Sequence, residues 1–300
     1  MNLHLKLKVL FAALSVVAIA SLGLAGTASA KLVGEFTKFQ YCPYTNTEVK
    51  KCLYSVTEGG EVLMGSKKVP IVNKVLLQGG FGKPDETTLI SKFYGATEGK
   101  PTLQPVAQPV PGGLAGLVNC KEISNFILRA SCELTFENGV TGLNATLELA
   151  GSPSNIQISE QLMNRKEGTA LKLPVKMRLE NPFLGESCYV GSNSSPVIWN
   201  LTSGPTSPPP PNTSIEGSFG QAEFREEGLM LHISENKLVD NAWAAPSASG
   251  CGGLFSFILD PIINSAAGLP AAAGKNTAIL QNTVDIATAA AVRFIDKENP

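Results

Sequence analysis

Apolar and polar positions alternate along most of the chain in the manner of short β-strands. Runs rich in Val, Ile, Leu, Thr and Phe are separated by Gly, Pro, Asn and Ser about every ten residues. The pattern predicts a mainly β protein built from antiparallel sandwich- or barrel-like sheets. The predicted strands cover residues 52–57, 69–77, 141–149, 170–179, 197–202, 218–224 and 228–234, and residues 277–280 also have the pattern of a strand.

Two or three short helices are predicted to cover these sheets. The first two, over residues 114–126 and 254–267, are entered through Gly-Gly pairs, and the third covers residues 285–296. Asp285 near the start of the third would interact favourably with the helix dipole. Pro261 lies inside the second helix, and we expect it to kink that helix or split it after Asp260.

The first 30 residues have the features of a secretory signal peptide. Lys6 and Lys8 precede an apolar run over residues 9–24, and Ala28-Ser29-Ala30 supplies the small residues of a cleavage site. We therefore expect cleavage after Ala30 and a secreted, extracellular or envelope-associated protein with no stable membrane span afterwards. The alternative is an uncleaved membrane anchor, because the apolar run is long for a signal and slightly short for a span.

The expected mature chain carries little charge. Loss of Lys6 and Lys8 leaves 22 of the 24 basic residues against 25 acidic ones, a formal charge of −3. Lys and Arg do not cluster in groups larger than two. The sequence therefore offers no basic face for nucleic acid or for anionic lipid.

Six cysteines lie after the predicted cleavage site, and an even number in an exported chain predicts disulfides. The favoured pairing joins neighbours along the chain: Cys42 with Cys52, Cys120 with Cys132, and Cys188 with Cys251. Free buried thiols would be the alternative in a reducing compartment. A zinc site is disfavoured because the spacings lack the tight knuckle that places two thiolates on one metal.

The domain prediction depends on residues 203–214, a Pro-rich stretch that contains four consecutive prolines. Such a stretch favours a stiff extended segment and is typical of a linker. A disulfide between Cys188 and Cys251 would cross it, so we predict a rigid loop inside one β-rich domain over residues 31–300. Two packed halves are the alternative, since residues 67–77 faintly resemble residues 171–179.

The stretch GLPAAAGKNT, residues 268–277, resembles a phosphate-binding loop only superficially. Five residues rather than four separate Gly268 from Gly274, and Asn276 stands where a hydroxyl should bind magnesium. We instead expect Gly268 to end a helix, Leu269-Pro270 to turn the chain, and Gly274 to allow entry into a strand. No cofactor is expected.

Candidate catalytic groups are few. His232 is the only histidine of the expected mature chain, and strand alternation predicts a half-exposed side chain. Ser234 and Lys237 match S-x-x-K, but after a strand this pattern indicates a turn. The sequence lacks a G-x-S-x-G nucleophile elbow, an HExxH motif and a calcium loop. No catalytic, cofactor or metal residue is therefore assigned.

A pair of carboxylates remains an open alternative, because glycoside hydrolysis needs two acids from any part of a chain. Trp199 and Trp243 could stack on sugars, but their apolar surroundings favour core packing. The candidate acids, none marked as a pair, are Glu180, Glu186, Glu223, Asp240 and Asp260.

Several segments resemble a group of uncharacterised secreted proteins from actinobacteria. They include YCPYTNTEVKKCLYSVT, NPFLGESCYVGS, the Pro-rich run, VDNAW and the GCGG and GLPAAAGKNTAIL stretches. The resemblance implies export and supplies no activity. Taken together, the sequence predicts an exported envelope or extracellular binding or structural protein without catalytic activity, which recognises an unknown ligand. The alternative is a secreted carboxylate-based glycan hydrolase.

Overall fold

The computed structural model describes residues 32–113, 124–127, 129–130 and 142–298. It is mainly β, as the sequence predicts, and all of its paired strands are antiparallel. The strands are β1 (Lys51–Met64), β2 (Lys67–Pro70), β3 (Val75–Phe81), β4 (Ser91–Gly95), β5 (Ala107–Pro109), β6 (Asn144–Leu149), β7 (Gln157–Ile158), β8 (Leu171–Glu180), β9 (Tyr189–Val190), β10 (Val197–Leu201), β11 (Gln221–Arg225), β12 (Met230–Asp240), β13 (Ala248–Ser249) and β14 (Thr277–Thr288).

Short helices accompany these strands. The α-helices are α1 (Glu160–Arg165), α2 (Ser256–Ala267) and α3 (Ala289–Glu298). Short 3-10 helices cover Gly34–Phe39, Pro153–Asn155, Glu226–Gly228 and Gly253–Phe255. The helix predicted over residues 114–126 falls outside the described residues except for its last three positions.

The fourteen strands form one hydrogen-bonded sheet that folds back on itself. Its main path runs β11-β12-β14-β1-β3-β4-β7-β8-β6-β5, and β4 joins the two halves by pairing with β3 on one side and β7 on the other. Strand β10 pairs with β8, and an isolated bridge between Thr202 and Val239 brings the halves together again. The inner faces of the two halves enclose the main hydrophobic core.

A second, smaller core lies on the outer face of the β1, β12 and β14 region. The 3-10 helix Gly34–Phe39 and α3 cover this face, and the buried side chains include Phe36, Phe39, Met230 and Val292. Both faces of these strands are therefore covered around His232, whereas Glu58 further along β1 is exposed. This arrangement matters for His232, which projects into the outer layer.

Several predicted elements differ from the observed ones. The run 69–77 is two strands, because β2 pairs with the end of β1 whereas β3 pairs with its beginning. Gln108 accepts the backbone N–H groups of Val72 and Asn73 in the break between them. The third helix begins at Ala289 and not at Asp285, because β14 continues to Thr288 in register with β1 and β12.

Helix α2 is continuous through Pro261, so the expected split after Asp260 is wrong, and the expected kink stays a prediction. Proline at this position removes one backbone donor, whose acceptor would have been the carbonyl of Phe257. Phe257 is exposed, so water can satisfy that carbonyl. Gly268 ends the helix in the left-handed conformation, with its N–H donated to Asn264 and Ser265, as the sequence predicts.

Two of the three expected disulfides lie in the described residues, and both form the predicted pairs. Cys42–Cys52 ties the segment after the first 3-10 helix to β1, with 5.6 Å between the Cα atoms. Cys188–Cys251 joins the loop before β9 to the turn before α2, across 63 residues of sequence. The Cys120–Cys132 prediction falls outside the described residues.

The Pro-rich segment packs against the stretch GLPAAAGKNT. Asn212 donates its backbone N–H to Gly274 and its side-chain amide to the carbonyl oxygens of Asn241 and Asn276. A side chain at Gly274 would lie 2.3 Å from the carbonyl oxygen of Pro209, so only glycine fits there. The single-domain interpretation of residues 31–300 stays a prediction.

Candidate functional site

The main core contains a cavity of about 100 Å³. It lies between β1, β2, β3 and β14 on one side and β5, β6, β8 and β10 on the other. All but five of its lining residues are apolar, and the five are Ser55, Thr57, Lys67, Gln108 and Asn282. An engineered apolar cavity of about 150 Å³ holds benzene, so a space of about 100 Å³ has room for part of an alkyl chain.

Short side chains at core-facing positions create this space. Leu53, Ser55 and Thr57 alternate along the inner face of β1, so the apolar row ends in two small hydroxyl residues. On the opposite side, Ala145 occupies a lining position of β6. Aliphatic residues of normal core size at these three positions would close the cavity.

An unfilled space of this kind is costly, because protein interiors are close-packed. At about 24 cal/mol per Å³, a volume of about 100 Å³ lowers the free energy of unfolding by about 2.4 kcal/mol. A sequence that keeps such a space therefore gives up a substantial part of a typical stability of 5–15 kcal/mol. Use of the space by a ligand would account for its retention.

A row of three polar side chains crosses the inner face at one part of the cavity. Thr57, Asn282 and Asn236 are cross-strand neighbours on β1, β14 and β12. The Thr57 hydroxyl donates to Asn282 Oδ1 at 2.7 Å, and Asn282 Nδ2 donates to Asn236 Oδ1 at 3.3 Å. Both strand pairings carry a bulge next to this row, so the backbone is locally adapted to it.

Trp199 lies on the other side of the cavity. It is fully buried and meets Trp243 edge to face with 5.9 Å between ring centroids, so the prediction of core packing for both tryptophans is confirmed. Sequence reasoning missed that Trp199 also lines the cavity. Its indole N–H has no acceptor among the described residues. An unsatisfied buried donor costs about 1–3 kcal/mol, and a ligand oxygen could satisfy it.

An open groove of about 580 Å³ lies towards the other end of β1. Its lining combines lysines with aromatic rings, including Lys51, Lys83 and Phe224. Lys51 pairs with Glu160, and Lys83 pairs with Glu86 at 3.0 Å. Two of its three lysines are therefore paired with carboxylates, and the third, Lys50, donates to the carbonyl oxygen of Thr47.

His232 is buried, with 8% of its surface exposed, so the prediction of a half-exposed strand residue is wrong. Its Nδ1 lies 2.6 Å from Asp285 Oδ1, and Lys38 Nζ donates to Asp285 Oδ2 at 3.0 Å. Burial alone would lower the pKa of Lys38, but hydrogen bonds to Glu35 and Asp285 outweigh it and raise that pKa. The first 3-10 helix is thus held to the sheet by a buried charged network.

The Asp285–His232 pair could orient a general base, but a triad also needs a nucleophile. Within the described ranges, His232 forms no hydrogen bond with a serine, threonine or cysteine side chain. Ser234 and Lys237 lie on β12, which continues beyond the predicted end of that strand to Asp240. The S-x-x-K pattern therefore lies within a strand rather than at the start of a helix.

The five candidate carboxylates are engaged separately. Asp240 accepts the backbone N–H groups of Asn200 at 2.7 Å and Ala242 at 2.9 Å. Burial raises the pKa of Asp240, against the opposing effect of these two hydrogen bonds. Asp260 accepts from the backbone of Gly250 and Cys251 and thereby holds the turn at the second disulfide.

The other three candidates lie nearer the surface. Glu223 pairs with Arg225 on the edge strand β11, and Glu186 is exposed in the loop before β9. Glu180 pairs with Arg178 at 2.7 Å, and the same arginine lies 3.2 Å from Glu148. Across the described part of the chain, no hydrogen bond joins any two of the five candidates. The glycan hydrolase alternative stays a prediction.

The stretch GLPAAAGKNT forms a structural junction. Asn276 is fully buried, accepts the N–H of Gly65, and donates its side-chain amide to the carbonyl oxygens of Trp243 and Ala272. Thr277 begins β14, as the sequence predicts. Backbone N–H groups of this stretch are likewise used within the protein, since Leu269 donates to Asn264, Ala271 to Ala245 and Lys275 to Ala272.

The described residues also lack two further kinds of feature. None of their helices is long and apolar enough to cross a membrane. They contain no group of three or more His, Cys, Asp or Glu side chains placed to hold a metal ion. Comparison with known proteins also gave no match, since no family model, curated protein or solved structure aligns with the chain.

Proposed function

We propose that this protein is an exported binding protein that holds an apolar ligand in the cavity of its main core. The single observation that carries the proposal is a cavity of about 100 Å³ with an almost entirely apolar lining. Ligand sites are typically concave and mostly apolar, with a few polar groups that orient the ligand. The hydroxyls of Ser55 and Thr57 and the indole of Trp199 are groups of that kind.

The cavity can adapt to a ligand longer than its empty volume. Met64 and Met177 line it, and methionine has three rotatable bonds with which to rearrange. Val62, Val69 and Ile71 line the same space and are only half-buried. An alkyl chain could therefore begin in the core and extend along these side chains towards the surface.

Export is the second part of the proposal. The predicted signal peptide over residues 1–30 and the predicted even set of cysteines support it, and the two observed disulfides are compatible with an oxidising compartment. In this proposal the protein acts outside the cytoplasm, in the envelope or the medium, and carries or sequesters its ligand without catalysis.

The proposal can be tested by NMR titration of the protein with 1-hexanol. We expect saturable shifts of methyl signals from lining residues, including Leu147 and Val190. The variant Ala145→Leu should abolish the shifts, because three added carbons fill the available space. The control Ala290→Leu makes the same change at an exposed position of α3 and should bind like the parent protein.

Saturable binding that disappears only in Ala145→Leu would support the proposal. Shifts that increase linearly with hexanol, or that are equal in both variants, would show solvent effects and would refute binding in the cavity. The matched controls separate loss of the cavity from a general effect of adding a leucine.

A further inference from the structure

Resting on the proposed function, we infer that the ligand is an uncharged amphiphile whose alcohol, ester or amide oxygen is recognised beside Ser55, Thr57 and Asn282. The inference concerns the class of ligand, and it follows from the hydrogen-bonding capacity that remains in the cavity.

Two of the five polar lining residues are already engaged in the protein. Gln108 accepts from the N–H groups of Val72 and Asn73, both at 2.9 Å, and donates to the carbonyl oxygen of Asn73 at 2.7 Å. The carbonyl oxygen of Gln108 is therefore satisfied within the protein, and Lys67 already interacts with another group of the protein.

The other three retain capacity for a ligand. Thr57 uses its hydroxyl proton on Asn282 Oδ1, which leaves its oxygen as an acceptor. Asn282 Nδ2 makes two bonds of 3.3 Å, to Asn236 Oδ1 and the carbonyl oxygen of Leu280, which are longer than the usual 2.9–3.0 Å. The Ser55 hydroxyl appears in none of the hydrogen bonds of the described residues and can both donate and accept.

This set is complementary to a neutral oxygen. An alcohol can donate to Thr57 or accept from Ser55, and an ester or amide carbonyl can accept from Ser55. The unpartnered indole N–H of Trp199 is an additional donor on the opposite side of the cavity. Ser55, Thr57, Asn282 and Trp199 are all neutral, so a carboxylate or phosphate held beside them would be buried without a cation among these contacts, which is strongly unfavourable.

The energetic argument for a built recognition site is independent of the cavity volume. Thr57, Asn282 and Asn236 occupy core-facing positions where aliphatic residues would pack as well and would need no partners. Asn236 is fully buried and is held by the carbonyl oxygens of Ser218 and Phe219. Asn236 therefore holds one end of the row in place, and Thr57 and Asn282 lie at the cavity.

The test compares three six-carbon probes, 1-hexanol, n-hexane and hexanoate at pH 8, by NMR titration of the parent protein. We expect hexanol to bind at least about fivefold more tightly than hexane, the value of one net hydrogen bond. Hexanoate, fully ionised at this pH, should bind more weakly than either. The indole N–H signal of Trp199 should shift with hexanol.

Two isosteric variants locate the effect. Thr57→Val should lower the affinity for hexanol about fivefold and leave that for hexane unchanged. Thr283→Val makes the same change on the outer side of β14, where the hydroxyl donates to Glu58, and should change neither affinity. Ser55→Ala provides a second variant at the cavity if Thr57→Val does not fold.

The outcomes distinguish the two proposals. If none of the probes binds saturably, the proposed function itself is wrong. If hexane and hexanol bind equally and Thr57→Val has no effect, the apolar site stands and the inference about the head group is wrong. Tightest binding of hexanoate would also overturn the inference, since it would show that an anion is recognised, with Lys67 as the cation of the cavity lining.

Discussion

Filling the cavity should stabilise the protein while it removes ligand binding. Ala145 on β6 is half-buried and lines the cavity beside its cross-strand neighbours Leu179 and Gln108, which also line it. The substitution Ala145→Leu adds three carbons at this position, which lines the space of about 100 Å³. The larger side chain would therefore extend into that space.

Two estimates give the expected increase in the free energy of unfolding of Ala145→Leu. Three buried carbons at about 0.8 kcal/mol each contribute about 2.4 kcal/mol, and removal of a cavity of about 100 Å³ gives a similar figure. Restricting the leucine side chain costs about 0.5–1 kcal/mol. We expect a net increase of about 1.5 kcal/mol in the free energy of unfolding, with Ala145→Val intermediate.

Urea denaturation measures this change, provided that the slope of the free energy against urea stays constant. Ala290→Leu, at an exposed position of α3, should change stability by no more than about 0.5 kcal/mol. The reasoning is refuted if stability falls progressively from Ala145 to Val to Leu. Overpacking, at a cost of about 1–3 kcal/mol, would then show that no usable space exists.

Three further predictions concern the disulfides, the buried carboxyl group of Asp240 and the export of the protein. Replacing Cys188 and Cys251 by alanine should lower the free energy of unfolding by about 4 kcal/mol. The same change at Cys42 and Cys52 should lower it by about 3 kcal/mol, because that disulfide closes a shorter loop. Equal losses in chemical denaturation would contradict this order. The raised pKa of Asp240 means that its contribution is fully present below about pH 3.8 and is lost as pH rises through its folded pKa. Asp240→Asn should therefore flatten the dependence of stability on pH above that value, and an unchanged curve would show that the carboxyl titrates normally. Intact mass of protein from the culture medium should start at Lys31 and increase on reduction by two hydrogens for each of three bridges; an intact N-terminus or six free thiols would contradict export and the disulfide framework together.

The sequence predicted the elements that depend on local pattern. Alternating apolar positions located most strands, and Gly268 marked the end of α2 because glycine adopts the left-handed conformation without strain. Pairing of neighbouring cysteines predicted both described disulfides. Strand ends were less accurate, because β12 continues to Asp240 through pairing with β14, a partner distant in sequence.

His232 shows where local pattern fails. Alternation separates the two faces of a strand correctly, since Met230 and His232 share one face. It does not reveal that the first 3-10 helix and α3 cover that face as a second layer. Likewise, Asp285 suits the start of a helix, but pairing of β14 with β1 and β12 keeps it in a strand, where it meets His232.

The cavity depends on tertiary structure alone. The residues around Ser55, Ala145 and Asn282 in the sequence do not show that these three line a common space. Each is small or polar at a position whose neighbours in space come from distant parts of the chain. Only the folding of one sheet back on itself brings them around a common space. The sequence by itself thus determined the β-rich class, the predicted export and the nearest-neighbour disulfides, because those depend on composition and short-range pattern. The tertiary structure decided which side chains face each other across the core, because packing between distant strands fixes the volume that remains between them.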